Sequence, residues 1–194
     1  MAIRITHDKI SSVTVTLPPT AYGSTSGYAS GGGGTPTYVD TIDKFPFSSD
    51  ANATDVGDLT QARRAVAGQS STASGYTSGG FAPPYVNTID KFPFSSDANA
   101  TDVGDLTQGR NFAAGQSSTA SGYTSGGSAP LYANTIDKFP FSSDANATDV
   151  GDLTQGRNFA AGQSSSASGY TSGGFAPPYV NTIDKFPFSS DANA

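Results

Sequence analysis

The sequence contains no cysteine, no tryptophan and no glutamate, and its 194 residues include a single histidine and a single methionine. Without cysteine there is no disulfide and no thiolate metal site, so stability has to come from packing. All sixteen acidic residues are aspartate, which favours turns where glutamate favours helices. Charged residues make up only 13% of the chain, with a net charge of −6. Five lysines and five arginines, spread without a cluster, do not form the cationic stripe that a duplex nucleic-acid binder needs to displace counterions. No apolar run approaches the roughly 20 residues of a membrane-spanning helix. The opening MAIRITHDKISSVTVTL lacks the apolar core of a secretory signal. These absences lead us to expect no membrane partner and a cytoplasmic or virion location. His7 stands alone near the N-terminus, so the many serines have no imidazole to activate them. We expect no enzymatic activity and no cofactor.

What the chain does have is repetition. The text TIDKFPFSSDANA recurs letter for letter around Ile42, Ile89, Ile136 and Ile183, a step of 47 residues, and a fixed period of this size marks a repeat architecture. Residues 87–133 and 134–180 differ at four positions, and 40–86 differs from 87–133 at eight. Within a unit the residues read as four short strands, about 87–94, 101–106, 111–117 and 122–125, separated by SSDANA, TQGR and SSTAS. No window sustains helical apolar spacing. The change of Arg64-Ala65-Val66 to Asn111-Phe112-Ala113 moves bulk by one residue, which predicts a strand buried on both faces.

In each unit a double glycine (Gly79-Gly80, Gly126-Gly127) follows a tyrosine (Tyr76, Tyr123) and precedes a strand with Ile89 and Phe92 or Ile136 and Phe139. Leu106 and Arg110, or Leu153 and Arg157, come next, and Tyr28, Gly31-Gly32, Ile42, Phe45, Leu59 and Arg63 give an earlier copy. This order resembles a degenerate kelch repeat over residues 20–194, with Ala53, Ala100 and Ala147 where that family carries its tryptophan. Composition and strand pattern already read as all-β, and four short strands per 47-residue unit suit a propeller blade; the resemblance agrees with a small β-propeller of about four four-stranded blades, and implies structural roles for Gly79, Gly80, Gly126, Gly127, Tyr76, Tyr123 and Tyr170. Phasing on the arginine places blades at about 20–60, 61–107, 108–154 and 155–194. Residues 1–19 form a separate segment in which Ile10, Val13, Val15 and Leu17 precede Pro18-Pro19. We expect it to be a strand that closes the ring and protects its edge. Exchange of that strand between chains, and a larger propeller, are the alternatives.

The repeated polar segments carry the candidate chemistry. Asp50, Asn52 and Thr54 alternate as the first ligands of a calcium loop do, but Asp55 stands where such a loop has glycine and Gln61 where it has glutamate. Turn capping by Asp and Asn is the stronger reading, and no metal site is expected. Arg63, Arg110 and Arg157 occur once per unit, either as an anion site or, preferably, as structural residues bonded to carbonyls or an aspartate. Lys44, Lys91, Lys138 and Lys185 read as solvated edge charges. The Phe45-Pro46-Phe47 copies and Tyr28, Tyr76, Tyr123 and Tyr170 supply the core between blades. Tyr85, Tyr132 and Tyr179 follow the loop prolines and are the candidates for exposed contact, beside the variable Phe81, Ser128 and Phe175.

Together these readings predict a non-enzymatic repeat scaffold that presents several equivalent weak sites to a protein or glycan partner and gains affinity by avidity. A self-assembling structural protein, such as a virion fibre or decoration component, is the alternative, as is an engineered repeat propeller.

Overall fold

The computed structural model describes residues 25–33 and 37–194. Every regular element among them is a strand. In chain order these are β1 (Ser26–Gly33), β2 (Tyr38–Pro46), β3 (Thr54–Asp58), β4 (Ala67–Ser70), β5 (Ser74–Ser78), β6 (Thr88–Pro93), β7 (Thr101–Asp105), β8 (Ala114–Ser117) and β9 (Ser121–Ser125). They continue as β10 (Ser128–Ala129), β11 (Leu131–Tyr132), β12 (Thr135–Pro140), β13 (Thr148–Asp152), β14 (Ala161–Ser164), β15 (Ser168–Ser172) and β16 (Ile183–Pro187). Apart from the short β10-β11 hairpin they form four antiparallel sheets, ordered β1-β2-β3, β4-β5-β6-β7, β8-β9-β12-β13 and β14-β15-β16. No helix among the described residues is long and apolar enough to cross a membrane.

The second and third sheets are each buried between two neighbours, and the two-residue period of a strand divides the work of TIDKFP between them. In β6, Ile89 faces the third sheet, in a cluster with Tyr76, Leu106 and Phe139. Lys91, on the same face, reaches Asp144 at 2.9 Å. Asp90 and Phe92 face the first sheet, Phe92 packing with Ile42 and Leu59. The corresponding cluster between the third and fourth sheets holds Tyr123, Ile136, Leu153 and Phe186. The third sheet therefore takes water from Ile89 and the first from Asp90, and both residues are fully buried.

Two glycine positions permit this packing. Gly122 lies opposite Phe139 across β9 and β12, and a Cβ at Gly122 would fall within 3 Å of three carbons of that ring, so the ring lies flat over bare backbone. In the double glycine, Gly79 and Gly80 have φ of +63° and +115°, and side chains there would press on the carbonyls of Arg110 and Arg64.

Two sequence expectations need correction, and a third is not met among the described residues. The segment 111–113 is not a strand buried on both faces: β8 starts at Ala114, and Ala65, Phe112 and Phe159 adopt left-handed φ of 56°, 52° and 55°. Bulk changes freely there because the residue sits in a turn, and Phe159 is 59% exposed. The lysines are not simple edge charges, since Lys44, Lys91 and Lys138 pair with Asp97, Asp144 and Asp191 across successive sheets. The described sheets by themselves do not close into a ring. Ile183 is 70% exposed and Phe47 61% exposed, whereas Ile42, Ile89 and Ile136 are fully buried. The expected closing strand, residues 10–17, lies outside the described residues.

Candidate functional site

Two surfaces could serve recognition. The first is a concave cavity of ≈ 630 Å³ whose walls include Tyr28, Phe47 and the repeated Gln69-Ser70, Gln116-Ser117 and Gln163-Ser164 pairs. The Gln-Ser pairs belong to β4, β8 and β14, edge strands of their sheets that lie side by side along the cavity. Ser70 N donates to Ser117 Oγ at 3.0 Å, and Ser117 N to Ser164 Oγ at 2.9 Å. Gln69 Nε2 donates to Ser78 Oγ, Tyr123 O and Thr124 Oγ1, all within 3.0 Å. Gln116 repeats the pattern with Ser125, Tyr170 and Thr171. The inner polar layer is thus mostly occupied in joining one sheet to the next. Sequence reading passed over these glutamines; the recurrence of AGQS in three units was the available signal.

The second surface is formed by the loops after the double glycines. Phe81 and Tyr85 pack edge to face at 5.5 Å, and Phe175 and Tyr179 at 4.9 Å. Tyr132 of the β10-β11 hairpin reaches Phe175 in the loop after β15 at 5.8 Å, and Tyr38 reaches Phe81 at 6.2 Å. Arg64 places its guanidinium over the rings of both Tyr38 and Phe81. Tyr179 is 81% exposed, and Tyr132 and Leu131 also face solvent. Tyr85 is half-buried. The variable Phe81 and Phe175 are thus supports for the tyrosines, a role that sequence reading did not assign.

The arginines are elsewhere. Arg63, Arg110 and Arg157 have no exposed surface, and each pairs with one aspartate, Asp90, Asp137 or Asp184, at 2.9–3.0 Å. Their Nη2 atoms also donate to the carbonyls of Thr77, Thr124 and Thr171. Each aspartate accepts two more bonds from Thr60, Thr107 or Thr154. Burial pushes the Arg110 guanidinium below its usual range, and Asp137 opposes that shift. Asp50 and Asn52 sit in an exposed turn, and Thr54 opens β3. Their later counterparts explain the recurrence, because Asn99, Asn146 and Asn193 accept from the backbone N–H of Asp58, Asp105 and Asp152 in the preceding sheet. No group of three His, Cys, Asp or Glu suited to a metal occurs among the described residues. Gly79, Gly80, Gly126 and Gly127 hold the left-handed turns, Tyr76 and Tyr123 are buried, and Tyr170 is half-buried. Compared with known proteins, the chain matches no family model and no curated sequence.

Proposed function

We propose that the chain is a non-enzymatic scaffold of kelch-like propeller blades, with residues 1–19 supplying a strand to complete the fourth blade, and that it binds a protein or glycan through its loops. The observation that carries this reading is the aromatic loop repeated in three successive units, Phe81 with Tyr85, Tyr132, and Phe175 with Tyr179. Solvent-facing tyrosines on rigid supports, exposed at Tyr132 and Tyr179 and half-buried at Tyr85, give large contact area at low entropic cost, and a fixed spacing lets several weak contacts act together. The arginine–aspartate pairs fix that spacing and do not meet ligand. Glycan-array and pull-down binding by the wild-type chain and by Y85A/Y132A/Y179A tests the reading. Each single variant should weaken binding modestly and the triple variant should abolish it. Binding unchanged in the triple variant overturns the reading.

A further inference from the structure

The three seams between successive sheets are nearly superimposable. Tyr28, Tyr76 and Tyr123 meet Phe92, Phe139 and Phe186 of the next sheet at 5.4, 5.5 and 5.5 Å, with interplanar angles of 51°, 54° and 52°. The same tyrosines stack on Phe94, Phe141 and Phe188 at 4.9, 4.9 and 4.8 Å. At each seam one lysine pairs with one aspartate, Lys44 with Asp97, Lys91 with Asp144 and Lys138 with Asp191.

Extending each series by one step leaves unused members at both ends. On the fourth sheet these are Tyr170, Ile183 and Lys185. On the first they are Phe45, Phe47 and Asp50. Ile183 is 70% exposed, Phe47 61% and Phe45 38%, whereas Phe92, Phe139 and Phe186 are buried. Lys185 and Asp50 are exposed, and neither has an ion-pair partner among the described residues. The two sets correspond in residue type to the tyrosine, isoleucine and lysine on one side of each existing seam and to the phenylalanine pair and aspartate on the other.

The same step taken once more would form a fourth seam with the contacts of the other three. If that step brought the fourth sheet round to the first, Tyr170 would meet Phe45 and Phe47 as its counterparts meet theirs. No such aromatic pair exists among the described residues, although both sheets line one cavity. The fourth-sheet face thus stays uncovered, Ile183 being 70% exposed, and a second chain can take it without altering the three seams already formed.

We infer that the fourth-sheet face of one chain receives the first-sheet face of a second copy, Phe45 and Phe47 seating against Tyr170 and Ile183 while Lys185 pairs with Asp50. Such contact is heterologous, with different surfaces on the two partners, so it propagates from copy to copy instead of ending at a symmetric dimer. The edge left by β16 is a separate surface, so a strand from residues 1–19 can occupy it without blocking this contact.

Sedimentation equilibrium tests the inference. Wild-type mass should rise with concentration through multiples of the monomer. Ile183→Asp and Phe47→Asp alter side chains already exposed, and each variant alone should sediment as a monomer. Mixed in equal amounts they should form a 1:1 dimer and nothing larger, because each blocks one face and leaves the other. K185D should weaken association, and D50K/K185D should restore it. Y179A should associate as wild type does, which separates this contact from the loop surface proposed for ligands. A wild-type chain that stays monomeric at every concentration overturns the inference, as does a mixture of the two blocked variants that fails to pair.

Discussion

Replacing Arg110 by methionine keeps most of the aliphatic stem and deletes the charge. In the intact protein the guanidinium pairs with Asp137 at 2.9 Å, both side chains having no exposed surface, and Nη2 donates to Thr124 O at 3.0 Å. The variant leaves a buried carboxylate supported only by Thr107 N and Oγ1. Breaking a buried pair from one side costs about 3–5 kcal/mol, because the remaining charge has lost its water and gained nothing in exchange. The Thr124 bond contributes roughly 1 kcal/mol of that. With a urea slope of about 2 kcal/mol per molar, the unfolding midpoint should fall by roughly 2 M. Two companions separate the orphan charge from lost packing. R110M/D137N keeps the bond from Thr107 N, reverses the other so that the amide nitrogen donates to Thr107 Oγ1, and should recover about 1–2 kcal/mol. R110M/D137L removes both charges and should come close to wild type, since an apolar pair of similar volume avoids the desolvation that already lowers the tendency of Arg110 to carry charge. An R110M midpoint indistinguishable from wild type would refute the reasoning, as would a double variant whose loss equals the sum of the singles.

Gly122→Ala should destabilise by about 1–3 kcal/mol in urea titration, because the new methyl strikes the Phe139 ring. Gly68→Ala, where a Cβ meets nothing within 4 Å, serves as the control and should change stability by less than about 1 kcal/mol; equal losses at the two sites would remove the ring-over-glycine explanation. Stability should also decline in alkali. Burial raises the Tyr76 and Tyr123 hydroxyls above their ordinary value, and hydrogen bonds to Asp144 and Asp191 raise Lys91 and Lys138. A folded-state value above the unfolded one means that the folded chain holds its proton more tightly. That contribution is complete below the unfolded values, about 10 for both residue types, and is lost as pH rises through the folded ones. Urea midpoints followed together with tyrosinate absorbance check this, and a midpoint that stays flat through tyrosine ionisation would contradict it.

The strand content was legible because every unit lacks helical periodicity and is cut by turn chemistry at regular intervals. The TIDKFP strand was read in its right place, and so was the aromatic core between sheets, because little besides the Phe-Pro-Phe and Tyr side chains had the volume to fill that space. The turn at Phe112 was not legible. A phenylalanine at positive φ contradicts the residue's own preference, and the backbone is held there by its neighbours, Phe112 N donating to Ala65 O and Phe159 N to Phe112 O. Such a constraint comes from the stacking of units and leaves no trace in any one of them. The lysine–aspartate pairs were hidden for the same reason. Lys91 follows Asp90 in the chain, yet the strand sends the two to opposite faces, Asp90 toward Arg63 and Lys91 toward Asp144.

Identical text therefore does not mean identical residues. Ile136 and Ile183 stand in the same letters, but one is fully buried and the other 70% exposed, because burial in this fold is conferred by the following sheet. Lys138 and Lys185 differ in the same way, one paired with Asp191 and the other without a partner among the described residues. In an ordinary globular domain a surface isoleucine is unremarkable. Here three copies of the same residue show what the fourth lacks, namely a phenylalanine pair and an aspartate at fixed distances, and the first sheet displays that set unused. The repeat thus defines the missing contact more closely than an exposed patch on a unique surface could, since the geometry of the absent partner is given three times over within the chain.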